Sequence, residues 1–503
     1  MRVSPLLLAA ALAIPGRAHA FCGFYVGGAG AKLYNNATEV VLMRQGTTTV
    51  LSMENNYQGP PSQFAMVVPV PAVIKREQVQ TLSRELFDKI DTLGAPRLVE
   101  YWEQDPCAPE MVEEEGQALG AVDDRDEDAA PEKASHAYHV KVVAQFSVGE
   151  YDIEVLSATE STGLDHWLRD HHYTIPDGAE PLLRPYVEQG MKWFVAKVDP
   201  NKVKFDPKTK MATLSPLRFS YDSPEFTLPI RLGLANSSGT QDLIVNILAP
   251  GDTRYEAANY PNVLIPTNLQ VTDQVRARFG EFYAALFDHA IAAQPHAVVT
   301  EYAWATSSCD PCPGPTLDGG DLATFGADVL GARYQDVNDF TLTRLHARYG
   351  KDLGQDLVFR AVDKIEGGRG VPDAHGEIAM QPTQHAGTNN FQGRYMILHP
   401  WQGAIACAAP RRGNWGEAPA GGQQQQIATA TNTAFAPRGG VQLASLIAKD
   451  APQIGLMTST PITPPPPVPR PQACGGCETR GPAGGGSFAL IGLVGLALRR
   501  RRR

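Results

Sequence analysis

Two cysteines separated by two residues are the sharpest chemical signal in this chain. Cys309-Asp310-Pro311-Cys312 has the spacing of a redox pair or of half a zinc site. A redox pair of the thioredoxin kind opens a helix, whose dipole lowers the thiol pKa. No helical periodicity follows Cys312, and the residues beyond it are rich in Gly, Pro and Asp. No second CxxC lies between residues 21 and 407 to complete a zinc set. A structural disulfide is the expected state of these thiols. Cys22, Cys107 and Cys407 are the other disulfide candidates, and spacing alone does not say which pairs with which.

The densest titratable cluster is His166, Asp170, His171 and His172. Helical spacing would put His166 and Asp170 on one face. There is no His-Glu-x-x-His, and the helix ends inside the cluster, so a solvated helix end is expected rather than a metal site. Asp124, Asp126 and Asp128 alternate as at the start of a calcium loop. Ala129 stands where that loop needs glycine, however, and no Glu closes it. Gly27-Gly28-Ala29-Gly30-Ala31 is not followed by the Lys-Ser or Lys-Thr of a phosphate loop. Gly-x-Ser-x-Gly is missing, as is Ser-x-x-Lys with its partner motifs. These patterns point to no catalytic, cofactor-binding or metal-ligating residue, and no cofactor is expected.

The elements that would position such residues read as α+β, mostly antiparallel sheet with a few packed helices. Strands are expected at Glu39 to Met43, Thr47 to Met53 and Gln63 to Val68, ending before Val68-Pro69-Val70-Pro71 because proline has no N–H to donate. Val79, Leu82, Leu86, Phe87 and Ile90 give a helix from about Lys75 to Leu93, followed by a strand at Leu98 to Trp102. Tyr138 to Phe146 and Tyr151 to Ser157 form a hairpin around Gly149, and a short helix covers Leu164 to Arg169. Further strands are Met191 to Val198, Leu217 to Tyr221, Phe226 to Leu234 and Asp242 to Leu248. A long helix from about Asp273 to Ala293 leads to a strand at Ala297 to Ala305, and late strands cover Leu357 to Val362 and Gly393 to Leu398. The helix–strand run ending at Cys107 echoes the one ending at Cys309, as a duplicated unit would, although two matches this short also arise by chance.

The expected organisation is a signal segment over 1–20, an exported body over 21–407 and a linker over 408–473, closed by an anchor segment over 474–503. The body divides into 21–104, 136–260 and 261–407. The acidic stretch 108–135 has almost nothing to bury and reads as disordered. The Gln and Pro runs of 408–473 read as a spacer unable to build a core. At 503 residues with a formal charge of −10, the chain lacks the basic footprint of a nucleic-acid binder. Its 47 glycines and 40 prolines favour a loop-rich fold.

Both ends read as addresses. Arg2, the apolar run Leu6 to Ile14 and Ala18-His19-Ala20 form a secretory signal, with cleavage expected after Ala20. At the other end Cys474-Gly475-Gly476-Cys477 precedes a short apolar helix, Phe488 to Leu498, and five arginines, Arg499 to Arg503. The apolar segment, ~15 residues counted generously, falls short of the ~20 of a comfortable span. This tail resembles the myxobacterial sorting signal MYXO-CTERM. The resemblance implies membrane retention through the tail, cleavage by a dedicated protease, and surface attachment through Cys474 or Cys477.

Phe21-Cys22-Gly23-Phe24-Tyr25, Phe64-Ala65-Met66-Val67-Val68-Pro69-Val70-Pro71, the stretch from Trp167-Leu168 to Ile175-Pro176, Phe391-Gln392-Gly393-Arg394-Tyr395 and His399-Pro400-Trp401 resemble the bacterial domain-of-unknown-function 2330 family over about residues 21–410. That resemblance implies export and carries no catalytic residue over. His171-His172 stands where it would imply an Asn-Gly kind of turn. The expectation is therefore a protein of the outer envelope or cell surface of a Gram-negative bacterium, structural or ligand-binding, with processing proteases as partners at both ends. An exported hydrolase with an unrecognised site is the alternative.

Overall fold

Strands such as Tyr151–Ala158 alternate apolar and polar residues, whereas Ala65–Val70 and Gln241–Pro250 are buried along nearly their whole length, and each apolar face must be covered by another element. The computed structural model describes residues 24–26, 37–54, 65–108, 136–331 and 340–458, apart from 206–211, 376–382, 419–426, 432–437 and a few positions singly or in pairs. All belong to one unit, Met1–Ser459. Ala20, Cys22, Cys474 and Cys477 lie outside the described residues, as do 109–135 and the expected C-terminal helix.

An eleven-stranded sheet runs Thr383–Gln384, Ile365–Gly367, Asn390–Gln392, Val298–Ala305, Phe340–Tyr349, Gln241–Pro250, Ala37–Gln45, Thr48–Met53, Leu217–Asp222 and Val79–Thr81, with Asn262–Leu264 beside Val298–Ala305. A six-stranded sheet runs Phe24–Val26, Ala65–Val70, Lys192–Val198, Tyr151–Ala158, Val140–Val148 and His136–Ala137. Most neighbours are antiparallel, but Gln241–Pro250 runs parallel to Ala37–Gln45. In a five-stranded sheet, Arg97–Glu103 lies parallel to Arg394–His399. The protein is α+β.

The core clusters define the layers. Val40, Leu42, Val245, Ile247 and Leu345 of the large sheet meet Met66, Val68, Val155 and Phe194 of the six-stranded sheet. Trp193, Val195 and Leu156, on the outer face of the smaller sheet, carry the helices Ser161–Asp170 and Glu180–Glu188. On the far face of the large sheet, Val41, Met43 and Leu248 meet Leu86, Phe87 and Ile90 of the helix Arg84–Gly94. Beside it, Phe282, Leu286 and Phe287 of the helix Phe279–Ala293 cover Val299 and Ala303. The order is helix, sheet, sheet, helix. Among the described residues no helix is long and apolar enough to cross a membrane.

Several elements differ from the sequence expectation. The helix expected from Lys75 begins only at Arg84. Ahead of it Val79–Thr81 is an edge strand pairing with Leu217 to Phe219, and the buried Val79 fits either periodicity. The helix expected from Asp273 is broken at Arg278, whose φ of −134° separates a 3-10 turn from Phe279–Ala293. The break lets both Val275 and Phe279 reach one core cluster. Of Phe226 to Leu234 only Thr227–Leu228 pairs, and a 3-10 turn at Arg231–Asn236 follows Pro229. Conversely, the strand Ala65–Val70 continues through Pro69. That residue sits opposite Trp193 and, among the described residues, lies beyond the last pair on the other side, Phe24 with Val67, so it has no described ladder partner there to supply. The helix–strand runs ending at Cys107 and Cys309 both form, but one strand lies in the five-stranded sheet and the other inside the eleven-stranded sheet.

The reading of 408–473 as a spacer without a core is corrected for its described part. Trp415–Gly416 and Ala428–Thr429 pair with Arg97–Glu103. Leu446, Ile447, Ala451 and Leu456 enter the cluster around Phe279–Ala293. Their spacing shows no period because 3-10 turns at Leu443–Ser445 and Pro452–Ile454 seat them, rather than a helix or strand. Leu446 is 1% exposed. Leu446→Ala is expected to lower stability by about 2–5 kcal/mol, read from the urea midpoint. An unchanged midpoint would mean the segment only lies on the surface.

Candidate functional site

The strand Phe340–Tyr349 puts Leu342, Arg344, His346 and Arg348 on one face by its period of two. Arg344 and His346 are buried and Arg348 nearly so, which free charges do not tolerate. Partners come from four other elements. A β-bulge between Thr300 and Tyr302 places Glu301 at the irregularity, and its side chain is wholly buried. Arg344 reaches Glu301 Oε2 through Nε at 2.7 Å and Asp91 Oδ1 through NH1 at 2.6 Å. His346 lies between Glu301 at 2.8 Å from Nδ1 and Asp242 at 3.2 Å from Nε2. Tyr283 donates its hydroxyl hydrogen to Glu301 Oε1 at 2.5 Å. Arg348 and Arg438 each pair with Asp242 at 2.9 Å and also with Asp288. Phe287 stacks on the imidazole at 3.7 Å, and both of these guanidiniums lie over its ring.

Charge balance follows from these contacts. Burial disfavours the His346 imidazolium, but Glu301 and Asp242 outweigh it and raise the pKa. Burial also works against an ionised Glu301. His346, Arg344 and Tyr283 prevail and bring its pKa down to about 2. Arg344, Arg348, Arg438 and the imidazolium thus face Asp91, Glu301, Asp242 and Asp288. Glu39 is pushed well up by burial and then by Asp91, toward its neutral form, and accepts from Asn246 at 2.6 Å.

The native state therefore holds protons on His346 and Glu39 that an unfolded chain would release. The His346 contribution is fully present below the unfolded value, ~6.5, and is lost as pH rises through the raised native value. Glu39 acts in the same sense above its own unfolded value. Glu301 acts oppositely, losing its contribution as pH falls toward about 2. Stability measured by urea unfolding is expected to decline from pH 6 to pH 9, and His346→Gln should flatten that decline. A wild-type profile rising over this range would refute the assignment.

The network ends at a cleft of about 350 Å³ lined by Glu281, Asp288, His289, Arg438, Val441 and Leu443, among others. Its polar groups are already engaged: His289 Nε2 lies 2.7 Å from the Ile454 carbonyl oxygen, and Arg278 pairs with Glu281. A larger cleft of about 640 Å³ lies beside Tyr186, Arg231, Asn259 and Asp356. There Asp356 accepts from Tyr186 at 2.7 Å, from the Ile230 amide at 2.8 Å and from the Arg231 guanidinium at 2.8 Å. In both clefts these acids and bases hold the fold together.

The predicted cysteines are brought together in two pairs. Cys107 and Cys407, each a few residues beyond one of the parallel strands Arg97–Glu103 and Arg394–His399, form a disulfide with Cα atoms 5.6 Å apart. Cys309 pairs with Cys312, Cα atoms 4.9 Å apart, and the next helix begins only at Gly319. The histidine cluster is not assembled. His166 and Asp170 are exposed, His171 stacks on Trp167 at 3.8 Å, and His172 lies outside the described residues. Among the described residues no three His, Cys, Asp or Glu side chains come together as a metal set.

Fold and disulfides together define a class: a disulfide-linked α+β protein of two packed sheets with buried ionic pairing. The chain belongs to the family described as an uncharacterized protein conserved in bacteria (DUF2330), which matches residues 16–360. That stretch leaves Phe391 to Tyr395 and His399 to Trp401 outside. No curated protein and no solved structure matches the chain.

Proposed function

We propose that this is an exported protein of the outer envelope or cell surface of a Gram-negative bacterium, held through its C-terminal tail, with a structural or ligand-binding role. The pairing of Cys107 with Cys407, 300 residues apart, carries the reading, because such disulfides persist in oxidising compartments. The signal-like residues 1–20 and the tail from Cys474 to Arg503 supply the two addresses. Processing proteases act at both ends, after Ala20 and near Cys474 or Cys477. Hydrolysis is the second reading: His346 with Glu301 is sealed in the core, but His399 with Glu100 and His385 with Asp363 pair at 2.6 Å with imidazoles that reach solvent.

Intact-mass analysis of the cell-associated protein tests this. A chain beginning at Phe21, ending near Cys474 to Cys477 and lacking the five arginines is the expected result. Met1 on the stable species would refute export. A full C-terminus on an exported species would leave an ordinary tail anchor and remove the sorting step.

A further inference from the structure

Arg97 and Arg394 are register partners on adjacent parallel strands, so their side chains leave the same face of the sheet. Both are fully buried. Guanidinium groups do not give up their proton, so two positive charges are fixed side by side in the interior. Among the described residues neither is hydrogen-bonded to a carboxylate. Arg97 donates to the Pro311 carbonyl at 2.7 Å and to the Leu93 carbonyl at 2.6 Å. Arg394 donates to the Tyr101 hydroxyl at 3.1 Å and to the Gly370 carbonyl at 2.6 Å. Among the described residues the Nε of each has no hydrogen-bond partner, and neither does Oε1 of the neighbouring Gln392.

The cover of this pair is the disulfide loop. Pro311 supplies a carbonyl to Arg97, Asp310 supplies another to Gln392, and the Asp310 carboxylate accepts the Gly370 amide at 3.4 Å. Asp310 and Cys312 are exposed and Cys309 is half-buried, so the loop lies between solvent and the arginines. Its acid is the nearby negative charge acting on both guanidiniums.

We propose that the Cys309–Cys312 loop is a removable plug over the Arg97–Arg394 pair, and that opening it creates a binding site for a doubly charged oxyanion, a phosphate or a dicarboxylate. Two adjacent forks of N–H donors match the paired oxygens of such a ligand. A dithiol opens the plug by exchange. Its two thiols become a disulfide, and the Cys309–Cys312 bond takes up the two electrons and two protons to give two thiols. The proposal does not depend on export.

The test compares closed and open forms that both retain the Cys107–Cys407 disulfide. Oxidised wild type and the Cys309→Ser/Cys312→Ser variant are titrated calorimetrically with inorganic phosphate and, separately, with succinate at constant ionic strength. The expected result is at least tenfold tighter binding of one of them by the variant, lost when Arg97→Gln is added. Should the variant not fold, wild type reduced only at Cys309–Cys312, verified by mass, takes its place. Equal affinity in closed and open forms, or binding that survives Arg97→Gln, overturns the proposal. The two arms decide between phosphate and dicarboxylate.

Discussion

Replacing Arg344 by methionine is expected to lower the folding free energy by about 3–5 kcal/mol, enough to leave much of the chain unfolded. The guanidinium is wholly buried between Asp91 and Glu301, and its loss takes the arginine's positive charge away from two buried carboxylates. The cost comes from that uncompensated buried charge more than from the packing contacts removed. Glu39→Gln supplies the contrast. Burial and then Asp91 push Glu39 well above the usual carboxylate range, toward the neutral acid whose shape the amide copies. Its expected effect is within about 1 kcal/mol. Urea denaturation of both variants checks the pair. Equal losses would mean that Glu39 is ionised and that the charge balance around His346 is misassigned.

Converting Cys107 and Cys407 to alanine is expected to cost about 2–5 kcal/mol, because their bond closes the longest described loop and constrains the unfolded chain most. Cys309 and Cys312 close a loop of only a few residues, and their loss should cost roughly 2 kcal/mol or less. Thermal unfolding of the two double variants under non-reducing conditions measures the difference. A larger loss from the short loop would show that its contacts with Arg97 and Gln392, rather than chain entropy, dominate.

The strands were legible where alternation was regular. Leu357–Val362 is found at the expected bounds, and Tyr151–Ala158 within one residue. Helix starts were less so, since Val79 and Leu82 satisfy a helical spacing while Val79 sits in a strand. The centre of the ionic network left no readable motif. Glu301 lies 45 residues before His346 in sequence, and the antiparallel pairing of their strands, with Val299 opposite His346, brings its side chain to the imidazole. Arg344, His346 and Arg348 alternate as on a solvated strand face, a pattern that looks the same whether water or buried carboxylates answer the charges. Their period of two was the one available signal for the strand. Helix Glu180–Glu188 was hidden by Pro181 and Pro185, which sequence rules treat as breakers. Here Pro181 occupies the first turn, where its missing N–H costs nothing.

The proposed export of this member of the DUF2330 family requires its four paired cysteines to be oxidised in the cell. Peptide mapping of protein taken from its own cells, alkylated before any reduction, tests it most directly. The expected result is one peptide pair joined through Cys107 and Cys407, and a Cys309 to Cys312 peptide two mass units lighter than its dithiol form. Alkylated free thiols at all four positions would contradict it.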